Sequence, residues 1–372
     1  MIYFDHAATS PLNNEVYEQY TKLLKDHFAN SESLYDLGVK VSQNLEKSRT
    51  LTAGLLGVKP QDIIFTSGAS ESNSSAIKSL AWAHQSKGKH LITTQIEHSS
   101  ILNAMKQLEE VFGFEVTYLS VNNEGKITLE DVRNALKEDT ILVSIGAVNN
   151  EVGSIQPVND IAQLLFKRKV LFHVDAVQAL GKIDLNYASF DAVSLSAHKL
   201  GGLKGSGILI LKSHLEMIPL IDGGSQEASK RGGTSNALVH TLFYKTLKNI
   251  LENKNNEVKK INEFLRSEIH KLNNTVIHSP VDGSEYILSF SVLGYTSEML
   301  ANALNQQGIY VSYRSTCHNR DATGSYVLSS MNKNEQEMSS VLRLSFNHTN
   351  TLKEAQDFIQ LLKGVIRSYD SR

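Results

Sequence analysis

Thiols are scarce in this sequence. Cys317 is the one cysteine among 372 residues, so an intramolecular disulfide is excluded and any thiol chemistry falls on a single side chain. Neither sign of charge is in excess: 37 basic residues face 39 acidic ones, which excludes a broad basic surface for direct nucleic-acid binding. No apolar run is long enough to span a bilayer, and the N-terminus, MIYFDHAATS, lacks the basic-then-apolar pattern of a leader. The expectation is a cytoplasmic enzyme with no membrane association. Internal repeats and low-complexity tracts are also missing. What is present is a chain long enough for two or three domains and a large buried core.

The patterning begins with a short extended piece and a proline turn over 2–12, then helical spacing from Val16, the loop HFANSESLYDLG, and a helix over 38–56 that ends near Gly57. Strand-like runs follow at 63–66, 90–94, 116–120, 141–147, 170–175, 192–196 and 207–211, with helical spacing at 73–85, 100–111, 129–136 and 157–167. This alternation predicts an α/β fold with a mostly parallel seven-stranded sheet covered by helices on both faces. After Gly223 the glycine-rich loop GGSQEASKRGGT leads into helical spacing over 238–272, which either bridges two domains or breaks near 253–256. Strands at 276–278, 286–292 and 310–312, with helices at 298–306, 335–338 and 352–369, then read as a smaller α+β domain.

Three stretches carry candidate chemistry. The run AVSLSAHKLGGLKGSGILIL, 192–211, places Lys199 on a glycine-spaced loop between two strand-like segments. A lysine that loses solvation there lowers its pKa and becomes an amine nucleophile able to form a Schiff base. The run LFHVDAVQALGK reads as a buried strand ending on Asp175, with Gln178 three residues on; a carboxylate so placed suits the pyridinium partner of a pyridoxal-phosphate site. DIIFTSGASESN is a strand, a small-residue turn and a helix start, which together make a cradle of backbone N–H groups for phosphate. Around Cys317 the polar stretch YRSTCHNRDATG carries Arg314, His318 and Arg320 and reads as a loop, surroundings that favour a reactive thiolate. Plainer readings stand beside these: a solvated loop lysine, a strand-end histidine satisfied by backbone, a surface arginine on a β-edge.

Taken in order, TSGASES, IEHSS, VNNEVG, HVDAVQ and SAHK resemble the pyridoxal-phosphate-dependent cysteine desulfurases of the NifS/IscS type, within the class V aminotransferases. The resemblance runs from YFDHAATSPL to RLSF, nearly the whole chain. It implies pyridoxal-phosphate fold type I, with a large cofactor-binding domain over 13–255 and a small α+β domain over 1–12 and 256–372 carrying the Cys317 loop and Arg343. It implies Lys199 as the cofactor lysine, Asp175 on the pyridine nitrogen, Gln178 on the phenolic oxygen and His98 stacked on the ring face. The phosphate falls to Ala69 and Ser70, with Ser196 and His198 on the other side. Thr234 reaches the phosphate of a neighbouring subunit, hence a homodimer. Asn150 lies near cofactor and substrate, Arg343 forks onto the substrate carboxylate, and Cys317 takes sulfur from L-cysteine as a persulfide, leaving alanine, and passes it to an acceptor protein.

Several loops depart from the family pattern. YRSTC stands where small residues usually precede the cysteine, Gln226 and Ala228 replace a histidine and an arginine, Tyr35 replaces a histidine, Leu203 a proline, and His348 a second arginine after RLSF. These changes leave open another class V lyase or aminotransferase with altered substrate, or a degenerate binding partner; the intact lysine, aspartate and histidine argue against the last. The sequence stops at Arg372, shortly after the final helix. The expectation drawn from that short end is a dedicated acceptor such as a tRNA-thiolation protein rather than general iron–sulfur cluster assembly.

Overall fold

The structure is a computed structural model that describes residues 1–254, 256–313 and 324–370. Cys317 and its neighbours Arg314, His318 and Arg320 lie outside the described residues. The strands are β1 (Ile2–Phe4), β2 (Ile63–Thr66), β3 (His90–Thr94), β4 (Glu115–Leu119), β5 (Thr140–Gly146), β6 (Leu171–Asp175), β7 (Ala192–Ser196), β8 (Gly207–Leu211), β9 (Thr275–Ile277), β10 (Ile287–Val292), β11 (Ile309–Val311) and β12 (Val341–Ser345). Seven of them form one sheet in the order β2-β8-β7-β6-β5-β3-β4. Only β8 runs against its neighbours, so the mostly parallel seven-stranded α/β sheet expected from the alternation is what forms.

Side chains alternate across this sheet, as a two-residue period requires. Phe65, Ile92, Val143 and Val193 enter one apolar cluster, while their neighbours Ile64, Leu91, Leu142 and Ala192 enter another on the opposite face. Because both faces are buried, the strands are rich in aliphatic residues; their polar residues stand at the ends or, like Ser144, His173 and Ser194, hydrogen-bond to one another inside the sheet. Thr66, Thr94, Asp175 and Ser196 all end strands at one edge, and Gly207 opens β8 there.

A third apolar cluster gathers Phe4 with side chains from 258–362. It is built on the antiparallel sheet β12-β10-β9 and the parallel pair β1-β11, covered by helices Glu257–His270, Ser297–Gln306 and Leu352–Asp370. The continuous helix over 238–272 is corrected. Its alternative, a break near 253–256, is realised, with a further interruption at Leu242, giving Ala237–Thr241, Phe243–Glu252 and Glu257–His270. The run Glu252–Glu257, ENKNNE, offers no apolar side chain to bury, and asparagine is a poor helix former. Here the chain leaves the first cluster, at Ile250, and enters the third, at Val258. Strand β12, expected only in the plainer reading that put Arg343 of RLSF on a β-edge, is the edge strand of the small sheet, with Arg343 buried on it. Among the described residues no helix is long and apolar enough to cross a membrane.

The N-terminal segment ties these parts together. After pairing with β11 it gives the Ala7 N–H to Ser345 Oγ at 2.8 Å. It then gives the Ser10 and Asn13 N–H groups to the carbonyls of His198 and Gly201 at 2.8 and 2.9 Å, and the Ser10 hydroxyl to the carbonyl of Lys199 at 3.1 Å. Its anchor is Phe4, fully buried and edge-on to Phe346 and Phe358 at ring distances of 5.1 and 5.9 Å. Phe4→Ala should therefore destabilise the third cluster by about 3–5 kcal/mol. Calorimetry would show this as a lowered unfolding midpoint; an unchanged midpoint would mean that the N-terminal strand is not anchored there.

Candidate active site

The strand ends at this edge surround a cleft of about 580 Å³ with a small recess continuing inward. At one end, β2 runs through Ser67 and Gly68 into the helix Ala69–His84, which has no side-chain cap. Gly68 adopts φ +154°, ψ 178°, a backbone region open essentially to glycine. Gly207 presses close behind it: a Cβ there would lie 2.5 Å from the Gly68 Cα. The uncapped first turn leaves N–H groups at Ala69 and Ser70, and both residues line the cleft. Across from them Ser196 Oγ is buried, lines the same cleft and has no hydrogen-bond partner among the described residues. Orphan amides at a positive helix end, plus an unpartnered hydroxyl, are the donors an anion needs.

Toward the recess, the Asp175 carboxylate accepts the Val177 N–H at 3.0 Å on Oδ1 and the Asn73 amide at 2.8 Å on Oδ2. His98 caps the helix Ser99–Phe112. Its Nδ1 accepts the Ser100 N–H at 3.2 Å and lies 2.8 Å from the Ser100 hydroxyl, so in the neutral ring the proton resides on Nε2. Burial pushes this imidazole below its ordinary pKa; the Asp175 carboxylate opposes that and the Lys199 ammonium reinforces it. Beside it, Glu97 is buried and accepts from Thr94 Oγ1 at 2.7 Å and the Gly146 N–H at 2.8 Å. Burial, with the charge of Asp175 adding and the hydrogen bond from Thr94 resisting, pushes its pKa up to about 8. A Cβ at 146 would sit 2.9 Å from Glu97 Oε2, so a larger residue there would displace the Glu97 carboxyl.

Lys199 lies on the short turn His198–Leu200, which closes on Gly201 at φ +79°, and its side chain lines both cleft and recess. Its neighbour His198 contacts Thr9 Oγ1 at 3.2 Å and is depressed to about 4 by burial and by the charges of Lys199 and Lys204. Gln178 donates to the Ala7 carbonyl and accepts from Lys182 Nζ, both at 3.0 Å. Burial, with Lys199 and Arg343 nearby, lowers Lys182 to about 7. Arg343, on β12, is buried; it gives one Nη to Asp5 Oδ1 at 2.7 Å and the other to the Asn150 carbonyl at 2.9 Å.

Of the residues singled out in the sequence, Ala69, Ser70, His98, Asn150, Asp175, Gln178, Ser196, His198, Lys199 and Arg343 thus line one continuous cleft. Thr234 does not: it is exposed on the loop before Ala237. The altered position Gln226 pairs with Glu32 on that loop, and Tyr35 is exposed at the start of the helix Asp36–Leu56. Four residues of the site were not foreseen. Asp5 and Glu97 sat inside motifs already quoted, Glu97 directly before the assigned His98, and could have been flagged. Asn73 and Lys182 act through contacts that leave no local signal.

An anion cradle at one end, a carboxylate at the other and a lysine between them fit a phosphorylated pyridine aldehyde, pyridoxal 5'-phosphate. Comparison with known proteins agrees. The family profile for class-V aminotransferases matches residues 2–358. A NifS/IcsS protein homolog of Lactobacillus delbrueckii subsp. bulgaricus is 40% identical, over 99% of this chain and 98% of its own. The cysteine desulfurase IscS of Dictyoglomus turgidum is 34% identical over 98% and 94%. The solved structure of a NifS-like protein superposes with a TM-score of 0.91 at 34% identity, covering 98% of this chain and 99% of that one.

The Glu97 carboxyl yields a pH prediction. Its folded pKa, about 8, lies above the ordinary 4.5, so the folded state holds the proton more tightly and stability falls as pH rises between those values, with a slope approaching ~1.4 kcal/mol per unit. Glu97→Gln cannot titrate, and its amide can still accept from Gly146 and donate to Thr94. Relative to this variant, the wild-type melting midpoint should decline from pH 5 to pH 8.5, other titrating groups cancelling between the two. Parallel curves would show that Glu97 ionises normally.

Proposed function

The chain belongs to the class-V aminotransferase family, and on that premise we propose that it is a pyridoxal-phosphate-dependent cysteine desulfurase, converting L-cysteine to L-alanine and transferring the sulfur to an acceptor. The observation that carries the reading is the single cleft in which Lys199 stands between the unpartnered Ser196 hydroxyl with its uncapped helix and the doubly hydrogen-bonded Asp175. When bound, the cofactor supplies an electrophilic carbon for amines and a ring that withdraws electron density from the substrate.

The chain's own residues do the rest. Ala69, Ser70, Ser196 and His198 hold the phosphate, and Asp175 keeps the ring nitrogen protonated. His98, neutral and carrying its proton on Nε2, would lie against the ring and could exchange a proton there. Gln178 would have one amide hydrogen left for the phenolic oxygen. Arg343, with Asn150 beside it, receives the substrate carboxylate, and the Lys199 amine moves protons at the substrate α-carbon. Cys317, as thiolate, takes the sulfur as a persulfide and passes it to an acceptor protein of tRNA thiolation or iron–sulfur assembly. The protein works as a cytoplasmic homodimer in which Thr234 completes the partner's phosphate site; its exposure in one chain is compatible with that role. A domain over 13–255 holds the cofactor, and one formed by 1–12 and 256–372 carries Cys317 and Arg343, a division supported by the third apolar cluster, which lies wholly in the latter, while the first also takes in Ala7, Ile287, Val327 and Val341.

The purified protein should be yellow and, with L-cysteine and a reductant, should release alanine and sulfide in equal amounts. Lys199→Ala should lose cofactor fixable by borohydride and at least about 10²–10⁴-fold in turnover, with its fold intact by circular dichroism. Cys317→Ser should still bind L-cysteine, seen as a spectral change, yet form no persulfide. Alanine without sulfide, or sulfide at the wild-type rate from Cys317→Ser, would move the chain to another class V reaction.

A further inference from the structure

We propose that Asn73 is a positioning residue that ties the ring-nitrogen partner Asp175 and the ring-face residue His98 into one rigid unit, so that a side chain with no place of its own in the cleft sets how the cofactor is held. The inference rests on the function proposed above. Asn73 lies on the second turn of the helix Ala69–His84 and is fully buried. Its amide nitrogen has two hydrogens and spends both: one on Asp175 Oδ2 at 2.8 Å, the other on Ser100 Oγ at 2.9 Å. Having accepted that bond, the Ser100 hydroxyl turns its own hydrogen to His98 Nδ1 at 2.8 Å. The direction of the chain is forced from the acidic end, because the opposite amide orientation would set Asn73 Oδ1 against a carboxylate.

Two features separate this arrangement from ordinary packing. The carbonyl oxygen Asn73 Oδ1 is buried and has no hydrogen-bond partner among the described residues, a destabilising feature that a purely structural side chain at this position would not need. In addition, the three groups joined come from three separate elements: the end of β6, the second turn of one helix and the first turn of the next. The Asp175 carboxylate then has one oxygen fixed by its own turn, through Val177, and the other, among the described residues, fixed by Asn73 alone. Without Asn73 that oxygen is released, and the carboxylate can rotate away from the orientation that meets a ring nitrogen.

A double-mutant cycle read by cofactor affinity tests this. Asn73→Leu, close in shape and without donors, should weaken binding of pyridoxal 5'-phosphate to the cofactor-free enzyme by about 10-fold or more, and should lower kcat for L-cysteine more than it changes KM. In an Asp175→Ala background the same substitution should weaken the cofactor Kd by clearly less than in the wild type, because only the branch through Ser100 to His98 remains to be lost. Equal effects in both backgrounds, or a wild-type Kd in Asn73→Leu, would overturn the proposal. If the leucine variant does not fold, Asn73→Ala is read in the same way. Failure of the wild-type protein to bind the cofactor at all would overturn the functional reading on which this one stands.

Discussion

Between two buried faces a strand keeps a polar side chain only where a partner satisfies it, as Ser144, His173 and Ser194 satisfy one another, and this constraint places the site. The seven-stranded sheet is covered on each side by an apolar cluster, so its chemically useful residues collect where the strands stop. Since all strands but β8 run the same way, their carboxyl ends meet at one edge. Asp175, Ser196 and the Thr66–Gly68 turn arrive there from different parts of the sequence without any further device. The cleft is the space left outside those ends, as parallel sheets with helical connections generally leave it.

The second requirement is that the lysine-bearing turn stay still. Leu200 and Gly202 close the turn with hydrogen bonds to the Ala197 carbonyl, and the N-terminal segment anchors it from outside by hydrogen bonds to His198, Lys199 and Gly201 while its first residues sit in the third apolar cluster through Phe4. The same segment supplies Asp5 to Arg343 and the Ala7 carbonyl to Gln178. A stretch of a dozen residues therefore fixes parts of the site drawn from positions nearly two hundred and more than three hundred residues away.

What could be read beforehand follows from this geometry. Strand ends are visible in a sequence because the aliphatic run stops, which is why Asp175 and the turn at Gly68 stood out, whereas Ser196 entered through the family resemblance. Lys199 stood out for the glycines that follow it. Asn73 could not be found in that way: it lies mid-helix among serines, and its meaning comes from a carboxylate 102 positions further along the chain and a hydroxyl 27 positions further along. Glu97 likewise has no local mark of its neutral state, which comes from burial and the charge of Asp175. The interrupted helix over 237–270 was ambiguous because apolar spacing persists on both sides of the break while the packing partner changes from one cluster to the other.

The pairing of Arg343 with Asp5 carries one more implication. A guanidinium kept waiting alone in a buried cleft would bind any incoming carboxylate tightly, and would bind the product's as tightly as the substrate's. Here the arginine is already balanced by Asp5 and the Asn150 carbonyl. With Arg343 as the proposed receiver of the substrate carboxylate, an arriving amino acid would trade one carboxylate contact for another, and the net gain would be the small difference between two similar pairs. Affinity that resides in such an exchange is modest for substrate and product alike. The arrangement favours rapid departure of the spent amino acid and leaves discrimination to the groups that meet its side chain.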